Sequence, residues 1–167
     1  MNKILLIALI CLIFVLAGCT QTSKWTFEPL DQVQGNISSF QTKNTNSVCI
    51  ENGKPIVRLF VTSWCPHCKW VEPAFIDTAK YYTQTGDIVA YVWELDTGNN
   101  LLTPEVENKV PDSEMAIYRQ FNPEGSIPTF IFGCKYYRIG NAYESENDLD
   151  KEVAEFKAVI KKTVEEK

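Results

Sequence analysis

The feature that most constrains the fold of this chain is an apolar run that leads directly into two closely spaced cysteines. Residues 56–62 read I-V-R-L-F-V-T, and S-W-C-P-H-C-K-W follows at once. The β-branched and aromatic residues predict a central strand buried on both faces, in which Arg58 needs a carboxylate partner. Pro66 suits the first turn of a helix, where its missing N–H is not needed. The pattern therefore predicts a strand that passes into a helix whose first turn carries Cys65 and Cys68.

The residues that follow predict the other elements of an α/β domain. Pro73 is expected to kink the first helix, which ends near Gly86. Residues 87–96 predict a second apolar strand, and residues 112–121 a short helix. Two strand-like runs then meet at a tight turn near residues 133–135, which indicates an antiparallel hairpin.

The chain is expected to close with an amphipathic helix. Ser145 and Asp148 resemble a capping box at its start. Its apolar residues fall on one face: Leu149, Val153, Phe156, Ile160 and Val164. The order strand, helix, strand, helix, hairpin, helix predicts an α/β fold in which helices flank a central mixed sheet.

The N-terminus has the pattern of a secretory signal. Lys3 precedes an apolar run over residues 4–17, which is shorter than the roughly 20 residues of a membrane-spanning helix. The run ends in L-A-G-C, which resembles the lipobox of prokaryotic lipoproteins. That resemblance implies that residues 1–18 are a signal peptide and that Cys19 carries lipid on its sulfur.

These features predict a protein held by lipid at the extracytoplasmic face of the cell membrane, in the periplasm or at the cell surface. Residues 19–46 are rich in Ser, Thr, Asn and Gln, and we interpret them as a polar tether, although aromatic residues within it could dock on the domain. Residues 47–167 then form a single domain. The net charge of −5 argues against a nucleic-acid partner.

Export bears on the cysteines, because disulfides persist outside the cytosol. Of the six cysteines, one leaves with the signal peptide and Cys19 is assigned to lipid. The four that remain are Cys49, Cys65, Cys68 and Cys134. Two bridges are possible among them, and counting alone allows three pairings.

Several kinds of site could use a Cys-x-x-Cys pair. Zinc would need two further ligands, yet His67 is the only histidine and the other thiols are distant in sequence. Haem attachment would need histidine where Lys69 stands. We therefore predict no metal site and no cofactor other than a redox-active Cys65–Cys68 disulfide, with an inert structural disulfide as the alternative.

Three features in register resemble thioredoxin-fold proteins over about Pro55 to Lys167. W-C-P-H-C follows the central strand, Pro73 stands eight residues after Cys65, and I-P-T at residues 127–129 matches the loop whose proline is cis in that family. The resemblance implies a thioredoxin fold and a thiol–disulfide oxidoreductase.

The resemblance also implies a role for each site residue. Cys65 is the nucleophile, because a cysteine at a helix N-terminus has a stabilised thiolate. Cys68, one turn further in, resolves the mixed disulfide. The residues expected to tune the pair or to form the substrate surface are Trp64, Pro66, His67, Ile127 and a cis Pro128.

The dipeptide between the cysteines bears on the direction of electron flow. Pro-His resembles the DsbA-type oxidases, whose disulfide is strongly oxidising. We therefore expect an oxidant whose partners are exported cysteine-containing proteins and a membrane redox partner. The alternatives are a thiol reductase supplied by a membrane partner, as in cytochrome maturation, and a non-catalytic binding or redox-sensing module.

Two further expectations come from the family. The position of its buried acid, six residues before the first cysteine, is Leu59 here, so proton transfer must use Glu94, Asp96, or water with His67. In the family the strand that begins at Pro128 runs away from the active site. The resemblance therefore implies a structural Cys49–Cys134 bridge at the far end of the sheet.

Overall fold

The central strand of the sheet is β3, Lys54–Val61, in which every residue after Lys54 is buried. The computed structural model describes residues 24–45 and 47–167. Residues 1–18, which the sequence predicts to be a signal peptide, and Cys19 lie outside the described residues. Burial on both faces follows from the apolar run, and the strand ends just before the cysteines.

The other elements follow in the predicted order, with short additional strands. The strands are β1 Gln41–Thr42, β2 Ile50–Glu51, β3, β4 Val89–Glu94, β5 Asn99–Asn100, β6 Thr129–Phe132 and β7 Tyr136–Ile139. The helices are α1 Pro66–Gln84, α2 Asp112–Phe121 and α3 Leu149–Glu165, with a 3-10 helix at Glu144–Glu146.

The sheet is mixed, as expected. Its strand order is β1-β7-β6-β3-β4-β5, and β2 pairs with the start of β3. Strand β4 runs parallel to β3, whereas β6 runs antiparallel to β3 and β7 antiparallel to β6. The ends of β3 and β7 and the start of β6 therefore meet at one end of the sheet, which we call the active-site end.

Helices cover both faces of the sheet. On one face, α1 and α3 pack over a large apolar core that includes Leu59, Phe75, Phe130 and Phe156. On the other face, α2 covers a smaller cluster around Phe60. The α/β sandwich predicted from the order of elements is confirmed.

Arg58, buried in β3, finds its partner on α2. Its Nε and Nη2 donate to Glu114 at 2.7 and 2.9 Å. The indole of Trp93 donates to the same carboxylate at 3.2 Å. The sequence required such a carboxylate, but only the packing of α2 identifies it.

The start of α3 differs from the expected capping box. Asp148 is the N-cap residue, and its carboxylate accepts a hydrogen bond from the Lys151 amide at 3.0 Å. Ser145 lies inside the preceding 3-10 helix. The helix therefore begins three residues later than the pattern indicated, because aspartate caps as well as serine.

Residues 24–45, within the segment interpreted as a polar tether, pack against the domain, which is the docking that the aromatic residues of this segment allowed. Val33 and Phe40 are buried in the main core, and Phe27 stacks on Tyr81. Lys157 of α3 pairs with Glu28 at 2.9 Å. The segment docks although most of its residues are polar, because burying the apolar residues spaced along it removes apolar surface from water.

Candidate active site

The two cysteines lie where β3 gives way to α1. Cys65 is the N-cap residue of α1, and its sulfur accepts a hydrogen bond from the Cys68 amide at 3.4 Å. Pro66 occupies the first turn, as predicted. Both thiols are free, and the cap geometry turns the Cys65 sulfur toward the unpaired N–H groups of the helix.

The side chains of both cysteines are buried. Cys65 is only 4% exposed and Cys68 is fully buried. Burial first, and then the hydrogen bond with Cys65, raises the pKa of Cys68 to about 12. Cys68 therefore stays protonated at neutral pH, and it must lose its proton to a base before it can attack.

The loop before β6 lies beside this pair. Phe60 pairs with Thr129, which places Pro128 at the active-site end of β3. The Ile127–Pro128 peptide bond is cis, and Ile127 packs against the core cluster that contains both cysteines.

Helix α2 and the end of β7 fix this loop. The Ser126 carbonyl accepts hydrogen bonds from Tyr118 at 3.1 Å and from Thr129 at 2.7 Å. The Gly140 amide donates to the Pro128 carbonyl at 2.8 Å. The proline is therefore supported from both sides.

His67, between the two cysteines, is held by the segment after β7. Its Nδ1 lies 2.9 Å from both carboxylate oxygens of Glu144. Asn141 Nδ2 donates to Glu144 at 2.8 Å and to the His67 carbonyl at 2.9 Å. Partial burial alone would raise the pKa of Glu144, but the hydrogen bonds from Asn141 and His67 outweigh it and keep this pKa below its usual value.

A buried ion network anchors that segment. Arg138 on β7 pairs with Glu152 and Glu155 on α3, and all three side chains are buried. The other oxygen of Glu152 accepts hydrogen bonds from the Ala142 and Tyr143 amides at 2.6 and 3.1 Å. The contacts that hold His67 thus rest on a buried network of three charged side chains, which the sequence did not reveal.

Asp96, one of the two carboxylates expected to take the place of the family's buried acid, binds the loop before Cys65. Asp96 accepts hydrogen bonds from the amide and hydroxyl of Ser63 at 3.0 and 2.6 Å, and these bonds lower the pKa of Asp96. It therefore serves the loop before Cys65 as an ionised acceptor, which makes it a poor proton store.

Glu72, which the sequence analysis missed, lies one helical turn after Cys68 on the same face of α1. It is half-buried, and its charge opposes ionisation of Cys68. Burial first, and then Glu94, raises the pKa of Glu72. The i, i+4 spacing from Cys68 was the signal that could have identified it.

Trp64 is the most exposed aromatic side chain near the cysteines, at 67%. Because it precedes the buried Cys65, its ring offers apolar contact surface beside a thiol that is itself barely accessible. Such a ring can recognise a bound protein through a large contact area.

Cys49 and Cys134 are joined in a disulfide at the opposite end of the sheet, with Cα atoms 5.4 Å apart. Cys134 lies in the turn between β6 and β7, and Cys49 just before β2. Their distance from the active-site end separates this bridge from the Cys65–Cys68 pair.

Residues 24–45 and 47–167 contain no group of three or more His, Cys, Asp or Glu side chains that could hold a metal ion. Of the three helices in the described part of the chain, none combines the length and apolar character needed to cross a membrane.

Comparison with known proteins agrees with this architecture. The Thioredoxin family model matches residues 36–115, just under half of the chain. Mouse protein disulfide-isomerase A2 is 35% identical over 74 residues, which are 44% of this chain and 14% of that protein. Protein disulfide-isomerase 1 of Dictyostelium discoideum is 25% identical over 115 residues, which are 69% of this chain and 28% of that protein.

The chain thus spans less than a third of the length of either relative. The matched family segment includes β3, the cysteine pair and α1. The sheet order, the helix-capping cysteine and the neighbouring cis proline complete the pattern. The chain is a thioredoxin-fold protein with relatives among the protein disulfide-isomerases.

Proposed function

We propose that this protein is a thiol–disulfide oxidoreductase that exchanges disulfides with exported proteins through Cys65 and Cys68. The observation that carries the proposal is the placement of Cys65 as the N-cap of α1, with Cys68 buried one turn behind it. Such a site directs the N–H groups of the helix at the first cysteine and shields the second from solvent. The similarity to protein disulfide-isomerases supports the same reaction class.

In the oxidising direction, a substrate thiolate attacks Cys65 and breaks the Cys65–Cys68 bond. The electron pair goes to the Cys68 sulfur, which takes up a proton. The second thiolate of the substrate then attacks the substrate sulfur that is bonded to Cys65, which forms the substrate disulfide and releases Cys65 as a thiolate. The substrate gains one disulfide and loses two electrons, and the enzyme gains them as two reduced thiols.

The proposed location is the extracytoplasmic face of the membrane, with lipid on Cys19. The L-A-G-C motif supports it. The Pro-His dipeptide supports an oxidant that a membrane redox partner returns to the disulfide form.

Trapping of the mixed disulfide tests the reaction. The Cys68→Ser variant, expressed in cells and alkylated at once, should carry reducible adducts through Cys65. The matched Cys65→Ser variant should carry none, because the remaining thiol is fully buried. Equal adduct levels in both variants would contradict the proposed roles.

The reduction potential tests the direction. A value of about −120 mV, like that of DsbA, would support an oxidant, whereas about −270 mV, like that of thioredoxin, would favour the reductase alternative. Equilibration with glutathione buffers, followed by thiol counting, measures it.

A further inference from the structure

The described chain begins beside the active-site end of the domain. Lys24 and residues 146–150 line one surface hollow. The Trp25 indole donates to the Asp150 carboxylate at 3.1 Å. The chain then continues along α3, where Glu28 meets Lys157.

Residues 144–147 contact α1, the helix that begins at the cysteine pair. Asn147 accepts a hydrogen bond from the Trp70 indole at 3.1 Å, and Glu144 binds His67. Trp70 lies five residues beyond Cys65, which is about 7.5 Å along a helix. Lys24 and the cysteine pair therefore lie at the same end of the molecule.

The other end is well separated from it. Helix α3 begins beside Lys24 and has 17 residues, a length of about 25 Å. Past its end, Glu166 pairs with Lys135 in the turn that also carries the Cys49–Cys134 bridge.

The length of the chain between Cys19 and Lys24 limits how far the active-site end can lie from the lipid. Four residues separate Cys19 from Lys24, and even a fully extended chain spans no more than about 18 Å over the five Cα–Cα steps between them. We propose that lipid on Cys19 holds the active-site end against the membrane surface, where Cys65 and Cys68 act on cysteines that a membrane-anchored or membrane-spanning protein displays close to the bilayer. This inference rests on the lipidation given under the proposed function, and it adds the orientation and the substrate class.

Side chains at this end suit a surface position. Glu146, Asp148 and Asp150 are charged groups whose transfer into hydrocarbon would be costly, so the domain lies on the headgroups. Trp64 is exposed beside Cys65 and offers apolar contact to a protein partner at the same level.

Energy transfer to labelled lipids tests the orientation. Residues 19–167 are prepared with a lipid attached chemically at position 19, so that the measurement does not depend on natural acylation. A fluorescent amino acid replaces either Ser145 at the active-site end or Lys167 at the far end, both of which are exposed. The protein binds phosphatidylcholine vesicles whose headgroups carry an acceptor with a Förster distance of about 25 Å, the length of α3.

Transfer from position 145 should exceed transfer from position 167 at least twofold. A 15-residue Gly/Ser insertion before Lys24 is the matched control and should bring the ratio close to one. A ratio of one or less without the insertion would overturn the proposal. Acylation is measured separately, as palmitate incorporation into the native chain and into Cys19→Ala, so its failure counts only against the lipid anchor of the proposed function.

A rate comparison tests the substrate class. A dithiol peptide is either linked to a vesicle lipid by a short spacer or left free in solution. The insertion should lower the rate with the lipid-linked peptide several-fold and leave the rate with the free peptide unchanged. Equal rates for both forms of the chain on the lipid-linked peptide would contradict the assignment.

Discussion

Glu144 lies 2.9 Å from Nδ1 of His67, so a carboxylate from the segment after β7 fixes one of the two residues between the cysteines. Because the pKa of Glu144 is lowered, this carboxylate is ionised at neutral pH and can only accept. The Nδ1 nitrogen must therefore carry the proton. In the neutral ring Nε2 then carries no proton and can accept a hydrogen bond.

We expect the Glu144→Ala substitution to remove the constraint that keeps the His67 proton on Nδ1. In the native chain the neutral His67 ring should be mainly the Nδ1–H tautomer, and the variant should show the ordinary mixture found in water. Stability should change by less than about 1 kcal/mol, since the His67 side chain is 63% exposed and solvent screens the pair. Because His67 is the only histidine, ¹⁵N shifts of its ring report the tautomer directly, and identical spectra would refute the expectation.

Glu72→Gln should slow the step in which Cys68 attacks the mixed disulfide. The buried thiol needs a base, and a carboxyl with a raised pKa one turn away can supply it. We expect a loss of roughly 10- to 100-fold at pH 7, at the low end of general-base effects because water can substitute in part. Stopped-flow release of a bound thiol measures this rate, with Glu165→Gln at the far end of α3 as the matched control.

The same substitution has a predictable effect on stability. The folded state raises the pKa of Glu72, so it binds this proton more tightly than the unfolded state and disfavours the charged form at pH 7. Glu72→Gln should therefore raise the free energy of unfolding at pH 7, and the difference should shrink as the pH falls toward 4. Urea titrations at both pH values measure this difference. A variant that is less stable than the native chain at pH 7 would contradict the prediction.

Arg138→Met should couple loss of stability to loss of order at the active site. Glu152 and Glu155 would remain buried without a cation, at a cost of about 3–5 kcal/mol. Arg58→Met should cost a similar amount but leave the His67 ring signals unchanged, since its partner lies on the other face of the sheet. If both variants altered those signals equally, the network would have no specific role at the site.

Removal of the Cys49–Cys134 bridge should weaken the fold without altering the chemistry. The Cys49→Ala/Cys134→Ala variant should lose about 2–4 kcal/mol of unfolding free energy in urea titrations. The reduction potential of the Cys65–Cys68 pair should stay the same, because the bridge lies at the far end of the sheet. Alkylation of both far-end thiols in the unreduced native protein would show that no bridge forms.

Trp64→Ala should separate recognition from chemistry. Its side chain is largely exposed, so stability should change by no more than about 0.5 kcal/mol. The rate with a protein disulfide should fall about tenfold or more, as for an interfacial tryptophan. The rate with glutathione disulfide, which is too small to use this surface, should be retained and serves as the internal control.

Local sequence determined most of the secondary structure and the fold class of this protein. The apolar strand, the proline after Cys65 and the hairpin at residues 133–135 each follow from short-range preferences, and together they predicted a mixed α/β fold. The resemblance of I-P-T to the family loop brought Ile127 and Pro128 into the site. These features depend on neighbours along the chain, so a single sequence contains them.

Only the tertiary structure decided which distant charges meet. Glu144 reaches His67 across 77 residues, and Glu114 reaches Arg58 across 56. The docking of residues 24–45 and the burial of Arg138 with two glutamates are likewise long-range. Any of the chain's 21 acidic residues could have been a partner, and the choice was made by packing of the helices on the sheet, because a buried charge is stable only where that packing supplies its counter-charge.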